Sequence, residues 1–92
     1  MKAAQSVAAE TFITALVGWL NARLAPPGAV ITADTALFED RLIDSIKILK
    51  LIAWTECAIG RAIPDHQIRM DNFSTPRRIA NVFIEGRSNA AA

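Results

Sequence analysis

The stretch Leu37-Phe38-Glu39-Asp40-Arg41-Leu42-Ile43-Asp44-Ser45-Ile46 leads from a long connection into the most apolar helical pattern of the chain. Its last three residues carry the transition. Asp44 suits an N-cap, because its carboxylate accepts hydrogen bonds from the exposed amides of a first helical turn and lies against the positive end of the helix dipole. Ser45 then opens a helix that runs to about Ile59, with Ile48, Leu49, Ile52, Glu56 and Ile59 tracing one side. Gly60 is placed to end it, since glycine takes the left-handed conformation of a helix terminus without steric cost.

Toward the N-terminus, Phe12, Ile13, Leu16, Val17, Leu20 and Leu24 recur at three- and four-residue spacing, which predicts a first helix over Val7 to Ala25 with one buried stripe. Pro26-Pro27-Gly28 stops it. The connection that follows, to about Ile43, holds Val30, Leu37, Phe38, Leu42 and Ile43, and is expected to pack on the core rather than float as a linker. Toward the C-terminus, Ile63-Pro64-Asp65 begins a turn, and Gln67 to Asp71 has room for one short helical turn before Asn72 and Phe73. The last helix is marked by Thr75 as N-cap and Pro76 at its first position. Ile79, Val82 and Phe83 face inward, and Gly86 is the stop. Nothing alternates with a period of two, and there is no internal repeat. The expected architecture is all-α: two long helices, a short turn and a closing helix in one domain over 1–92, with a core of about 7–86 and a frayed tail at 87–92.

Composition narrows the function classes. The chain has 92 residues, 21% of them charged, and a formal net charge of +1, so it lacks the basic excess with which nucleic-acid and membrane-surface binders gather counter-charge. The apolar run Thr11 to Leu20 falls well short of the roughly 20 residues needed to cross a bilayer, which predicts no membrane span. One cysteine, Cys57, and one histidine, His66, make neither an internal disulfide nor a thiolate–imidazole metal site, and a reducing cytoplasm is the expected home. Cys57 reads as a small buried hydrophobe of the second helix and His66 as a solvated turn residue. Glu39 and Asp40 are neighbours on a loop, without the facing geometry of acid–base catalysis, and there is no glycine-rich phosphate loop. The chain is not expected to be an enzyme and has no expected catalytic residue or metal.

The segment Leu37 to Ile46 resembles the phosphopantetheine attachment motif of the acyl carrier protein family, in which Asp-Ser-Leu or Asp-Ser-Ile opens the second helix. Glu56, Ile59-Gly60, Ile63-Pro64-Asp65 and Asn72-Phe73-Ser74-Thr75 follow at the family's spacings, so the resemblance covers roughly Asp34 to Phe83. It implies an acyl-carrier-protein-like four-helix bundle with a short third helix. It also implies that Ser45 receives a covalent 4′-phosphopantetheine arm from coenzyme A, joined by a phosphopantetheinyl transferase, with Asp44 beside it helping to present the hydroxyl. The arm's thiol would then hold an acyl or aminoacyl thioester, loaded by a ligase and passed to a downstream acyl-accepting enzyme. A helix N-terminus suits the anionic phosphodiester that such modification installs.

Two departures bear on partners. Fatty-acid carriers, as a family, are acidic along the second helix, whereas this chain places Lys47 and Lys50 there, with Ile46 and Trp54 as candidate apolar contacts. Arg41 stands where the family often has glycine. The short chain, the non-acidic helix and Leu42-Ile43-Asp44-Ser45-Ile46 look similar to free-standing aminoacyl carriers loaded by a ligase resembling an aminoacyl-tRNA synthetase. A D-alanyl, peptidyl or specialised acyl carrier remains open, and a monomer is expected. The reading from another class is an unmodified helical interaction module using Trp54, Lys50 and Arg77. A DNA-binding domain is disfavoured, because the second helix is too apolar for a recognition helix and the last helix too poorly supplied with base-reading side chains.

Overall fold

The structure, a computed structural model, describes residues 7–86; the expected tail, 87–92, lies outside the described residues. Three α-helices appear in it, α1 (Val7–Arg23), α2 (Lys47–Ile59) and α3 (Pro76–Phe83), with no strand among the described residues. The all-α expectation holds. The short third helix does not: two 3-10 turns, Asp65–Gln67 and Met70–Phe73, take its place. Ile68 N donates to Asp65 O at 3.0 Å and Asn72 N to Arg69 O at 3.0 Å, so each turn closes three residues back. Arg69, extended at φ −133° and ψ 146°, separates them and prevents one continuous helix.

Phe12, Ile13, Leu16 and Leu20 of α1 are buried as the spacing predicts, and α1 packs closely along α3 through Ile79, Ala80, Val82 and Phe83. Its end comes two residues earlier than expected. The amides of Leu24 and Ala25 both turn onto Leu20 O, at 2.9 and 2.8 Å, before Pro26 removes the next donor. In α3, Thr75 Oγ1 accepts from Arg78 N at 3.0 Å and Pro76 sits in the first turn, as read from the sequence. No helix among the described residues is long and apolar enough to cross a membrane.

The buried side of α2 is made by Leu51 and Thr55, with Ile48, Ile52 and Ile59 half-buried beside them. Leu49, expected on that side, is 65% exposed. Two residues of helix place it about 200° around the axis from Leu51. Thr55 is tolerated in the core because its hydroxyl donates to Leu51 O at 2.8 Å and so is not left unpaired. Gly60 ends the helix at φ 76°, its amide on Glu56 O.

The connection between α1 and α2 packs as expected through Ile31, Leu37 and Ile43, although Val30 is exposed. Distant side chains hold it. The Asn21 amide of α1 donates to Ile31 O at 2.9 Å and accepts from Ile31 N at 2.8 Å, pairing with the loop backbone as a strand would. On α3, Arg77 N donates to Ala33 O, and its guanidinium Nε reaches Asp34 Oδ1 at 2.7 Å.

Candidate functional site: the entrance to α2

Leu37 anchors the approach to the site. Buried, it receives the Leu42 and Ile43 amides on its carbonyl at 2.9 and 3.1 Å, while its own amide donates to Ser74 O at 2.8 Å. Asp40 N on Ala36 O, Arg41 N on Phe38 O and Leu42 N on Leu37 O together form the hydrogen-bond pattern of a Schellman turn, whose left-handed position is Arg41 at φ 59°. Arg41 is the only described residue other than glycine with a positive φ. Glycine would adopt this conformation at lower cost, and the arginine stands there because the surrounding bonds over-determine the turn.

Ile43 returns the chain to the core, and the next residue points outward. Asp44 Oδ1 accepts from Lys47 N at 2.8 Å and Ile46 N at 3.0 Å, and Ile48 N closes on Asp44 O at 2.9 Å. The expected capping role of Asp44 is therefore present, while the regular helix starts at Lys47, two residues later than expected. Ser45 lies within the turn that these bonds to Asp44 close, and Leu49 N bonds back to Ile46 O at 3.1 Å in a tighter turn just after it. The amide of Lys47 above all, and that of Ile46, hold the Asp44 carboxyl below its ordinary range. Ser45 is exposed, and its hydroxyl makes no hydrogen bond with the described residues.

The four residues expected at a partner face separate. Ile46 is 69% exposed and Lys50 is exposed, so both are accessible. Lys47 is half-buried and donates through Nζ to Leu24 O at 2.9 Å, satisfying a carbonyl past the end of α1. Trp54 is half-buried, stacked on Trp19 at 5.5 Å between ring centroids and tilted against Phe12 at 5.5 Å. Leu49 joins Ile46 on the outside, which the three-residue spacing of two apolar residues would have signalled had the core direction been known. Glu56, the sole acid of α2, accepts from Ile63 N at 2.8 Å and pins the turn after the helix.

Arg77, a candidate contact in the interaction-module reading, is committed to Asp34, whose carboxyl the guanidinium draws below its ordinary value. Cys57 is exposed rather than buried, because it lies on the side of α2 opposite Thr55; His66 is exposed as expected. No group of three or more metal-ligating side chains occurs among the described residues. In the first turn of α2, Ile48 borders an apolar hollow of about 90 Å³ shared with Phe38, Ile68, Met70 and Phe73. No protein-family model matches this chain, and no curated protein is significantly similar to it.

Proposed function

We propose that this chain is a carrier protein that holds an acyl or aminoacyl group as a thioester on a 4′-phosphopantetheine arm attached to Ser45. The observation that carries the reading is the entrance to α2: an exposed, unengaged serine hydroxyl in a turn locked by the Asp44 carboxylate. Nearby amide dipoles suit an attached phosphodiester. Arg41 adds support, because the position where the carrier family often has glycine is the one that takes a left-handed backbone here. In this reading the two 3-10 turns stand in for the short third helix of the family's four-helix bundle.

The arm does the covalent chemistry, and the protein's own residues present it. A phosphopantetheinyl transferase would remove the Ser45 proton and join Oγ to the phosphorus of coenzyme A that bears the pantetheine, breaking the pyrophosphate bond and releasing adenosine 3′,5′-bisphosphate, with Asp44 holding the turn still. A ligase then loads the thiol, and an acyl-accepting enzyme unloads it, in the cytoplasm and with the carrier as a monomer. An amino acid is the favoured cargo. The hollow beside Ile48, at about 90 Å³, is smaller than the roughly 150 Å³ cavity that holds a benzene ring, so it would not shelter a long acyl chain.

Incubation with coenzyme A and a broad-specificity phosphopantetheinyl transferase, followed by intact-mass measurement beside Ser45→Ala, tests the reading. A gain of one phosphopantetheine unit in the wild type alone is expected. No gain by a chain whose helical circular dichroism is intact would abandon the carrier assignment for the unmodified interaction module.

A further inference from the structure

Along the flank of α2 that carries Lys50, Ala53, Trp54 and Cys57, the helix does not close against α1. The backbones of α1 and α3 approach closely while those of α1 and α2 stay further apart, and the rings of Phe12, Trp19 and Trp54 span the gap. Above those rings runs an open furrow. One part, of about 470 Å³, is lined by Trp19, Arg23, Lys50, Ala53, Trp54 and Cys57. Past Trp54 it continues as a second apolar hollow of about 460 Å³, beside Ala8, Thr11 and Ala15 of α1 and Ala58 of α2.

The residues along the α1 wall, from Ala8 to Arg23, extend over about 22 Å at 1.5 Å per residue, the length of roughly four helical turns. That wall is unusual for solvent. Between Glu10 and Arg23 there is no charged residue, and the exposed α1 residues that line the second hollow, Ala8, Thr11 and Ala15, are small. Among the described residues, the charged groups that line the furrow are Arg23 and Lys50, both exposed at one end, and no carboxylate lines it. Tryptophan and arginine are the side chains that dominate binding energy when a partner excludes water from them.

We infer that this furrow is a docking site for an amphipathic helix of a partner protein, apolar on the side that covers Trp19 and Trp54 and acidic where it meets Arg23 and Lys50. The charge complement selects this occupant. A second copy of the chain offers no acidic helix, since α1 and α2 carry one acid each, Glu10 and Glu56, α3 carries none, and Glu56 is turned to Ile63 N. Single-stranded nucleic acid fits less well, because the two indoles stack on each other at 21°, each giving one face to the other, and two cations line the furrow among the described residues. The inference goes beyond the carrier reading and stands without it, as no residue of the furrow belongs to the turn that holds Ser45.

The molecule supplies its own reporters, because its only two tryptophans and its only cysteine all line the furrow. The probes are an 18-residue amphipathic helix with Leu and Phe on one side and Glu on the other, its Lys-for-Glu twin, and a uridine oligonucleotide. They are titrated into the unmodified chain and into Ser45→Ala, which keeps the outcome independent of any arm. The Glu helix is expected to shift tryptophan emission saturably, to slow alkylation of Cys57, and to bind the Ser45→Ala chain equally well. Arg23→Glu with Lys50→Glu, two exposed positions that leave the core intact, should weaken that helix by roughly tenfold or more, as two exposed charge pairs at up to about 1 kcal/mol each allow, and bring in the Lys twin. The inference fails if neither helix moves the emission, if both bind alike, if the charge-reversed variant keeps its preference, or if the oligonucleotide binds more tightly than the Glu helix.

Discussion

The two long connections of this fold are held in opposite ways. The one between α1 and α2 has little regular structure and is fastened by residues far away in sequence: Asn21 on Ile31, Ser74 on Leu37, Arg77 on Ala33 and Asp34. The one between α2 and α3 is fastened mostly by its own neighbours, through two 3-10 turns and the Asn72 side chain, whose Nδ2 donates to Gln67 O at 2.9 Å. The first buries Ile31, Leu37 and Ile43, while the second leaves Ile68 and Met70 exposed between Ile63 and Phe73. A connection that has turns of its own, such as the one at Leu37–Leu42, is thus held in addition by burial and by bonds from distant residues, which offset the cost of ordering it.

The sharpest way to break the comparison is to truncate one apolar residue in each connection. Leu37→Ala should cost about 2–5 kcal/mol in urea unfolding followed by circular dichroism, since the side chain is fully buried and its loss leaves a cavity. Ile68→Ala, at 38% exposure, should cost well under half of that. Equal losses would mean that the second connection is as firmly packed as the first. Next in size is Asn21→Ala, which removes two hydrogen bonds to Ile31 and should cost about 1–3 kcal/mol, read by the same transition. Its diagnostic sign is faster amide exchange at Ile31, with Asn72 N unchanged.

The smallest effect separates the two carboxylates by pH. Asp34 and Asp44 both have lowered pKa values in the fold, Asp34 through the Arg77 guanidinium and Asp44 through the Lys47 amide. A depressed folded pKa means that each contributes stability above the ordinary carboxylate value of 3.8, and that this contribution fades as the pH falls through the lower folded value. Thermal midpoints measured downward through that window should decline, less so in Asp34→Asn or Asp44→Asn. Added salt should weaken chiefly the Asp34 part, because an exposed ion pair is screened more than a cap on backbone amides, the Lys47 charge adding a smaller share at Asp44. A salt response confined to Asp44 would contradict the hydrogen-bond geometry of its turn.

Much of the candidate site was legible because its chemistry is local. Asp44 caps the three residues that follow it, Gly60 and Gly86 take left-handed backbones, and Thr75-Pro76 opens α3, all within one turn of the residue that decides. Leu49 and Cys57 were misplaced because a helix as apolar as α2 offers several stripes of similar hydrophobicity, and only the neighbours select one. Asn21 is a clamp on the loop ten residues on, a role that the spacing of α1 does not mark. Lys47 looked like a free cation and is bonded to a carbonyl beyond the end of α1.

From the sequence alone came the all-α class, the order and approximate limits of the three helices, the exposed serine behind its aspartate, and the exclusion of a membrane-length apolar segment. Those properties depend on spacing and capping, which act over a few residues and leave their mark in the order of the residues. The tertiary structure decided which side of α2 is buried, how residues 24–46 are held, the division of the third helix into two 3-10 turns, and the open furrow between α1 and α2. Each of these depends on which distant surfaces meet, and packing between elements sets free energies larger than the local preferences that a sequence displays.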